Sequence, residues 1–207
     1  MPNDIYPSGS VRTLLQTDFV SPQTKAVLNE RLQASNRIAP TFFDEETFRI
    51  LEAVCDCFFS QDNKSEKVPL AIMLEKEFAT GKGRGWRYLE LPPIKDAMKQ
   101  GLKAINAEAQ ERYQTTFVQL SATDKEAVLT AVQKAEVTAT AWSDLPSDLF
   151  FTELLTTATE QYYSHPLAKE EIGDVSFADE GGWYAIGLNN LEDREPRTTE
   201  SSADAKH

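Results

Sequence analysis

Apolar residues recur along most of the chain at the three- and four-residue steps of a helix. In "TFFDEETFRILEAVCDCFF", Phe48, Leu51, Cys55 and Phe58 form one stripe behind an acidic turn of Asp44, Glu45 and Glu46. Carboxylates at that position suit the positive end of a helix. "SEKVPLAIMLEKEF" puts Leu70, Leu74 and Phe78 on one face, and after "LPP" a longer stripe follows through Ile94, Met98, Leu102, Ile105, Ala109 and Tyr113. "SATDKEAVLTAV" begins with a capping serine, Ser121, and an acid three residues on, with Val128, Leu129 and Val132 facing inward. "SDLFFTELLTTATEQYYS" offers a broad aromatic face of Phe150 or Phe151, Leu154 or Leu155, Ala158 and Tyr162.

No stretch alternates convincingly with period two. The expected fold is therefore all-α: an irregular helical bundle with an extended N-terminal arm and a loop-rich C-terminal segment. Residues 1–40 are expected to form the arm, in which "SPQTKAVLNERLQ" has Ser21 as cap and Pro22 in the first turn of a helix with a thin apolar face. Residues 41–190 are the expected helical domain. Pro166 closes the helical pattern, and "AKEEIGDVSFADEGGWYAIGLNN" is expected to be a glycine-broken loop. Residues 191–207, "LEDREPRTTESSADAKH", are nearly free of apolar side chains and are expected to be a disordered tail.

Composition narrows the functions. The 207 residues carry 33 Asp and Glu against 21 Lys and Arg, a net charge of -12, which repels a phosphate backbone and argues against nucleic acid as partner. No run approaches the roughly 20 apolar residues of a membrane span. The beginning, "MPNDIYPSGSVRTLLQTDFV", has neither the cationic start and apolar core of a secretion signal nor a twin-arginine pair.

Cysteine and histidine restrict the chemistry further, because the chain has only Cys55, Cys57, His165 and His207. A four-cysteine iron–sulfur cluster is excluded, and a Cys-x-Cys pair lacks the spacing of structural zinc sites. On a helix the two thiols project about 200° apart and do not bond to each other. "GKGRGW" at residues 81–86 ends a helix and precedes an expected extended "WRYLELPP", whereas phosphate-binding glycines sit between a strand and a helix. The acids at 44–46 are explained by the helix start, and Asp56, Glu170, Glu171, Asp179 and Glu180 are expected to be solvated. His165, in "YSHP", is expected to bond locally, and no Ser–His–acid order can be assembled around it. The chain thus offers no catalytic, cofactor-binding or metal-binding residue.

Aromatic residues near helix ends remain. Tyrosine and tryptophan anchor interfaces because they bury much area with few rotors. Trp86, Tyr88, Phe150, Phe151, Tyr162, Tyr163, His165, Trp183 and Tyr184 are the candidates for a partner surface, with core filling as the competing role.

"TFRILEAVCDCFF", "GKGRGWRYLELPP", "DLFFTELLTTATEQYYSHP" and the closing "GGWYAIG" together resemble the gluconate 2-dehydrogenase subunit 3 family, over roughly residues 42–188. The resemblance implies the small, non-catalytic subunit of a bacterial sugar or sugar-acid dehydrogenase. The large subunit, a glucose–methanol–choline-type flavoprotein, would hold FAD and often an iron–sulfur cluster, and pass electrons to a haem-c-bearing cytochrome subunit or quinone. The small subunit would support folding, maturation, stability or export of the large one, with the complex in the periplasm or at the inner membrane. Many members carry a twin-arginine signal that this sequence does not show, so an exported complex would use a signal on the large subunit, and without one it would be cytoplasmic. In an oxidising compartment Cys55 or Cys57 would be available for an intersubunit disulfide. Two other readings compete: a helical adaptor without a redox partner, and an enzyme with an acidic site around residues 170–180.

Overall fold

The computed structural model describes residues 5–33, 39–81, 88–177, 185, 187 and 190–199. Among these the secondary structure is helical, with no strand. Contacts group the chain into two compact units. A central unit comprises residues 36–62 and 69–161, and a terminal unit comprises 1–35, 63–68 and 162–207. This grouping cuts across the expected division at residues 40 and 190.

The helices are α1 (Ser10–Leu14), α2 (Pro22–Gln33), α3 (Glu45–Phe58), α4 (Leu70–Thr80), α5 (Ile94–Tyr113), α6 (Ala122–Gln133), α7 (Ser147–Tyr163) and α8 (Pro166–Ile172). In the central unit α5 packs against α3, α4 and α6, and also meets the 3-10 turns Phe117–Gln119 and Thr140–Trp142. Its stripe is the middle of the core, with Met98, Leu102, Ile105 and Ala109 wholly buried. The facing stripes of α3 (Leu51), α4 (Leu74), α6 (Val128, Val132) and α7 (Phe150, Leu154, Ala158) are buried as well. Each large side chain so buried contributes about 1.5–3 kcal/mol.

Local signals set the helix ends. Asp44 caps α3 by accepting from the amide of Thr47 at 2.7 Å, and Ser121 caps α6 through Asp124 at 3.2 Å. Gly81 ends α4 in the left-handed region at φ 65°. The stretch after it was expected to be extended. Instead Leu91 donates to the Tyr88 carbonyl at 3.1 Å, a turn that buries Leu91 and leaves Leu89 90% exposed.

In the terminal unit, Val11, Leu14 and Leu15, followed by Val20 and by Leu28 of α2, form a small core with Val175 and Phe177. α1 and α2 both pack against α8. The helical signal therefore does not end at Pro166. A proline lacks only an amide that the first helical position leaves unpaired anyway, so Pro166 opens α8, His165 caps it, and Gly173 closes it at φ 68°. The expectation of a loop here gave the proline the wrong side of the boundary.

Candidate partner-binding site

The terminal unit is organised by polar groups, and the chemistry of each decides whether it can act or only hold. Glu170, on α8, was expected to be solvated; it is 5% exposed. Its carboxylate accepts from the Gly9 amide at 2.8 Å and from the Arg12 amide at 3.0 Å, Nε at 3.1 Å and Nη2 at 2.9 Å. Burial alone would raise its pKa, but the bonds from Arg12 and Gly9 outweigh it and hold the group below the ordinary carboxylate range. Arg12 also reaches Glu66 at 2.7 Å and Ser8 at 3.1 Å. This carboxylate is bound on all sides by the start of α1 and serves as an anchor.

His165 is 1% exposed and uses both ring nitrogens. Nδ1 accepts from the Leu167 amide at 3.2 Å, which leaves the proton on Nε2, 3.2 Å from the Arg31 carbonyl. Arg31 returns the contact by donating Nη1 to the Ser164 carbonyl at 2.7 Å. Burial favours the neutral ring and lowers its pKa, outweighing the bond to the Arg31 carbonyl, which favours the charged ring; the Arg31 charge lowers it further. The "YSHP" sequence is thus a joint that caps α8 and grips the end of α2.

One arrangement looks like acid–base machinery. Lys64 donates to the Tyr162 hydroxyl at 2.7 Å and to Glu171 at 2.5 Å, while Tyr162 donates to Glu171 at 3.1 Å. A tyrosine base needs a depressed pKa. Here burial raises it and outweighs Lys64, so the hydroxyl keeps its proton and the triad acts as a brace.

Two more buried glutamates hold backbone in the central unit. Glu75 accepts from the amides of Thr41, Phe42 and Phe43 at 2.5, 2.7 and 3.2 Å. Glu108, wholly buried, accepts from the amides of Thr138 and Ala139 and from Arg112 Nε at 2.5 Å. Burial pushes its pKa up, but the Ala139, Arg112 and Thr138 bonds bring it below the usual range. These carboxylates escaped the sequence reading, though Glu108 falls three residues after Ile105, in register with the α5 stripe, and an acid inside an apolar stripe is the available signal.

Cys55 and Cys57 are free thiols on α3, the first buried and the second partly so. Burial raises both pKa values, Cys55 far more, which disfavours the thiolate needed for exchange. Among the described residues no three His, Cys, Asp or Glu side chains converge as metal ligands.

Of the candidate surface residues, Phe150, Phe151, Tyr162 and His165 are buried within the chain itself. Phe151 meets Phe58 edge-on at 5.5 Å, and Phe150 lies 5.7 Å from Trp142. Tyr88 is partly buried, and Tyr163, edge-on to Tyr162 at 5.2 Å, is 38% exposed. Trp86, Trp183 and Tyr184 lie outside the described residues. Among the described residues of the terminal unit, the most exposed apolar groups were not singled out in the sequence: Ile5, Phe19, Val27, Ile172 and Leu191, each 46–57% exposed.

Residues 45–182, well over half of the chain, match the family model for gluconate 2-dehydrogenase subunit 3. The chain belongs to that family. Its members are subunits of a dehydrogenase complex, and the match spans the helical stripes, the "YSHP" joint and α8. It ends at Gly182, so most of the closing "GGWYAIG" falls beyond it. No curated protein and no solved structure matches the chain.

Proposed function

We propose that this protein is the non-catalytic small subunit of an FAD-dependent dehydrogenase acting on a sugar, sugar acid or glycoside. It binds the glucose–methanol–choline-type large subunit and supports its folding, maturation and stability. The membership over residues 45–182 carries this reading. It is supported by the use made of three of the four glutamates buried among the described residues: Glu75, Glu108 and Glu170 accept backbone amides, so these groups, which a catalytic site would direct at substrate, are spent on rigidity.

In this reading FAD, any iron–sulfur cluster and any haem c belong to the other subunits, and the complex works in the periplasm or at the inner membrane with export directed by the large subunit. Cys57, the more accessible thiol, is the better candidate for a bond to the partner. The test is co-expression with a glucose–methanol–choline-type large subunit from the same genome, purification through a tag on this chain, and a flavin spectrum. A yellow stoichiometric complex, with dehydrogenase activity lost when this chain is omitted, is the expected result. Turnover by this chain alone, or a large subunit that loads flavin equally well without it, would sink the reading.

A further inference from the structure

We propose that the terminal unit carries a docking notch for an apolar segment flanked by lysine or arginine on the large subunit, an inference that rests on the proposed function. The notch is a solvent-open depression of about 430 Å³ lined by Phe19, Ala185, Leu191, Glu192, Asp193 and Arg194. Phe19 and Leu191 are 51% and 46% exposed. Two large apolar side chains flanking one concavity are the arrangement in which a partner's anchor gains most by expelling water.

The rim charge selects the occupant. Glu192 is committed: it lies 2.9 Å from Arg194 Nε and accepts from the Ala185 amide at 3.2 Å. Asp193 and Asp18, the latter next to Phe19 in sequence, are exposed and have no ion pair among the described residues. A second copy of this chain would bring the same acids and a net charge of -12. The chain's own last residues, "ESSADAKH", carry two acids against one lysine. Both repel an acidic rim, whereas a cationic segment of another protein is attracted to it. Phe19 and residues 185–194 also lie outside the family match, so the notch belongs to the part of the chain in which a particular partner can be distinguished.

Leu191→Asp and Asp193→Lys test this in the full chain, since both positions are exposed and neither change disturbs the buried core. Affinity for the co-expressed large subunit is measured by titration at two salt concentrations, with circular dichroism as a folding control. Leu191→Asp is expected to weaken binding about tenfold or more, a central anchor being worth that much. Asp193→Lys is expected to weaken it about threefold and to flatten its salt dependence. Unchanged affinity of both folded variants, with wild-type binding intact, overturns the notch while leaving the proposed function standing. A wild-type chain that does not bind the large subunit overturns both. A lone chain whose dimerisation is abolished by Leu191→Asp assigns the notch to self-association and overturns the proposal as well.

Discussion

The central and terminal units reach stability by different means. The central unit is built on stripes of apolar side chains that interlock around α5, where even a glycine is part of the fit: a Cβ on Gly101 would lie 2.1 Å from the Phe150 ring. The terminal unit has three helices, two of them of five and seven residues, and helices so short are marginal alone. They are held by a small apolar core and by ionic and capping bonds from Glu170, His165, Arg31 and Lys64. Packing tolerates acid and salt; bonds to titratable groups do not. Glu108 gives the central unit the same sensitivity in acid, so it is near neutral pH, where His165 titrates, that the region containing the proposed notch is the one the solvent can tune.

The largest expected effect tests the packing side. Phe150→Ala removes a wholly buried ring and should cost about 3–5 kcal/mol in urea unfolding. Gly101→Ala should cost about 1–3 kcal/mol although alanine is the better helix former, because the methyl and the Phe150 ring compete for one space. In the double variant the second penalty should largely vanish. Additive costs would show that the ring does not set the α5–α7 spacing.

On the ionic side, Glu170→Gln keeps the shape but removes the charge facing Arg12. With Arg12 about a third exposed, the loss should be about 2 kcal/mol rather than that of a fully buried pair. Hydrogen exchange should locate the loss in α1 and α8. Glu170 and Glu108 both have depressed pKa values, so their stabilisation is present above the ordinary 4.5 and is lost as the pH falls below it, in both units alike. An exchange pattern that loosened only α3 to α6 would contradict the assignment of Glu170 as an anchor.

His165 separates the units more finely. Its folded pKa is lowered from 6.5, so its contribution is complete above that value and declines below it, as the unfolded chain takes up a proton that the folded ring resists. Burial is the largest opposition to protonation and the Arg31 charge adds to it, while the Arg31 carbonyl, Glu170 and Glu171 favour the charged ring and soften the effect. Between about pH 7.5 and 5.5 protection should fall in the terminal unit and stay level in the central one. His165→Asn retains a capping oxygen without the titration and should flatten the slope; a slope surviving in the variant would assign it to another group.

How much could be read from the sequence follows the same divide. The stripes through Leu51, Leu74, Met98, Leu102, Val128 and Leu154 need only a local period, and all are buried. So are the caps at Asp44 and Ser121 local, each made within three residues. The terminal unit depends on bonds between residues far apart in the chain, 161 positions for Gly9 with Glu170 and 194 for Ile5 with Thr199, and no local pattern announces those. The aromatic clustering was real, but nearness to a helix end does not tell an inward ring from an outward one. Phe150 and Tyr162 therefore proved to be interior, whereas Phe19 and Leu191, isolated in polar stretches, are exposed.

The smallest effect compares a cap that the sequence announces with one that it conceals. Asp44 accepts from Thr47, and this amide bond is the main reason that its pKa falls to about 2. The Lys103 contact at 3.2 Å joins two side chains more than half exposed and adds little. Asp44→Ala should cost about 1 kcal/mol at neutral pH, and Asp44→Asn less, since an amide oxygen can cap as well. The Asp44→Ala penalty should shrink as the pH falls from about 4 towards 2 and the wild-type carboxylate takes up its proton. The His165 cap fades in a different window, beginning near 6.5. Were urea midpoints of the Asp44 and His165 variants to converge on wild type over the same pH range, the two caps would not be distinct, and the solvent sensitivity assigned to the terminal unit would be a property of the whole chain.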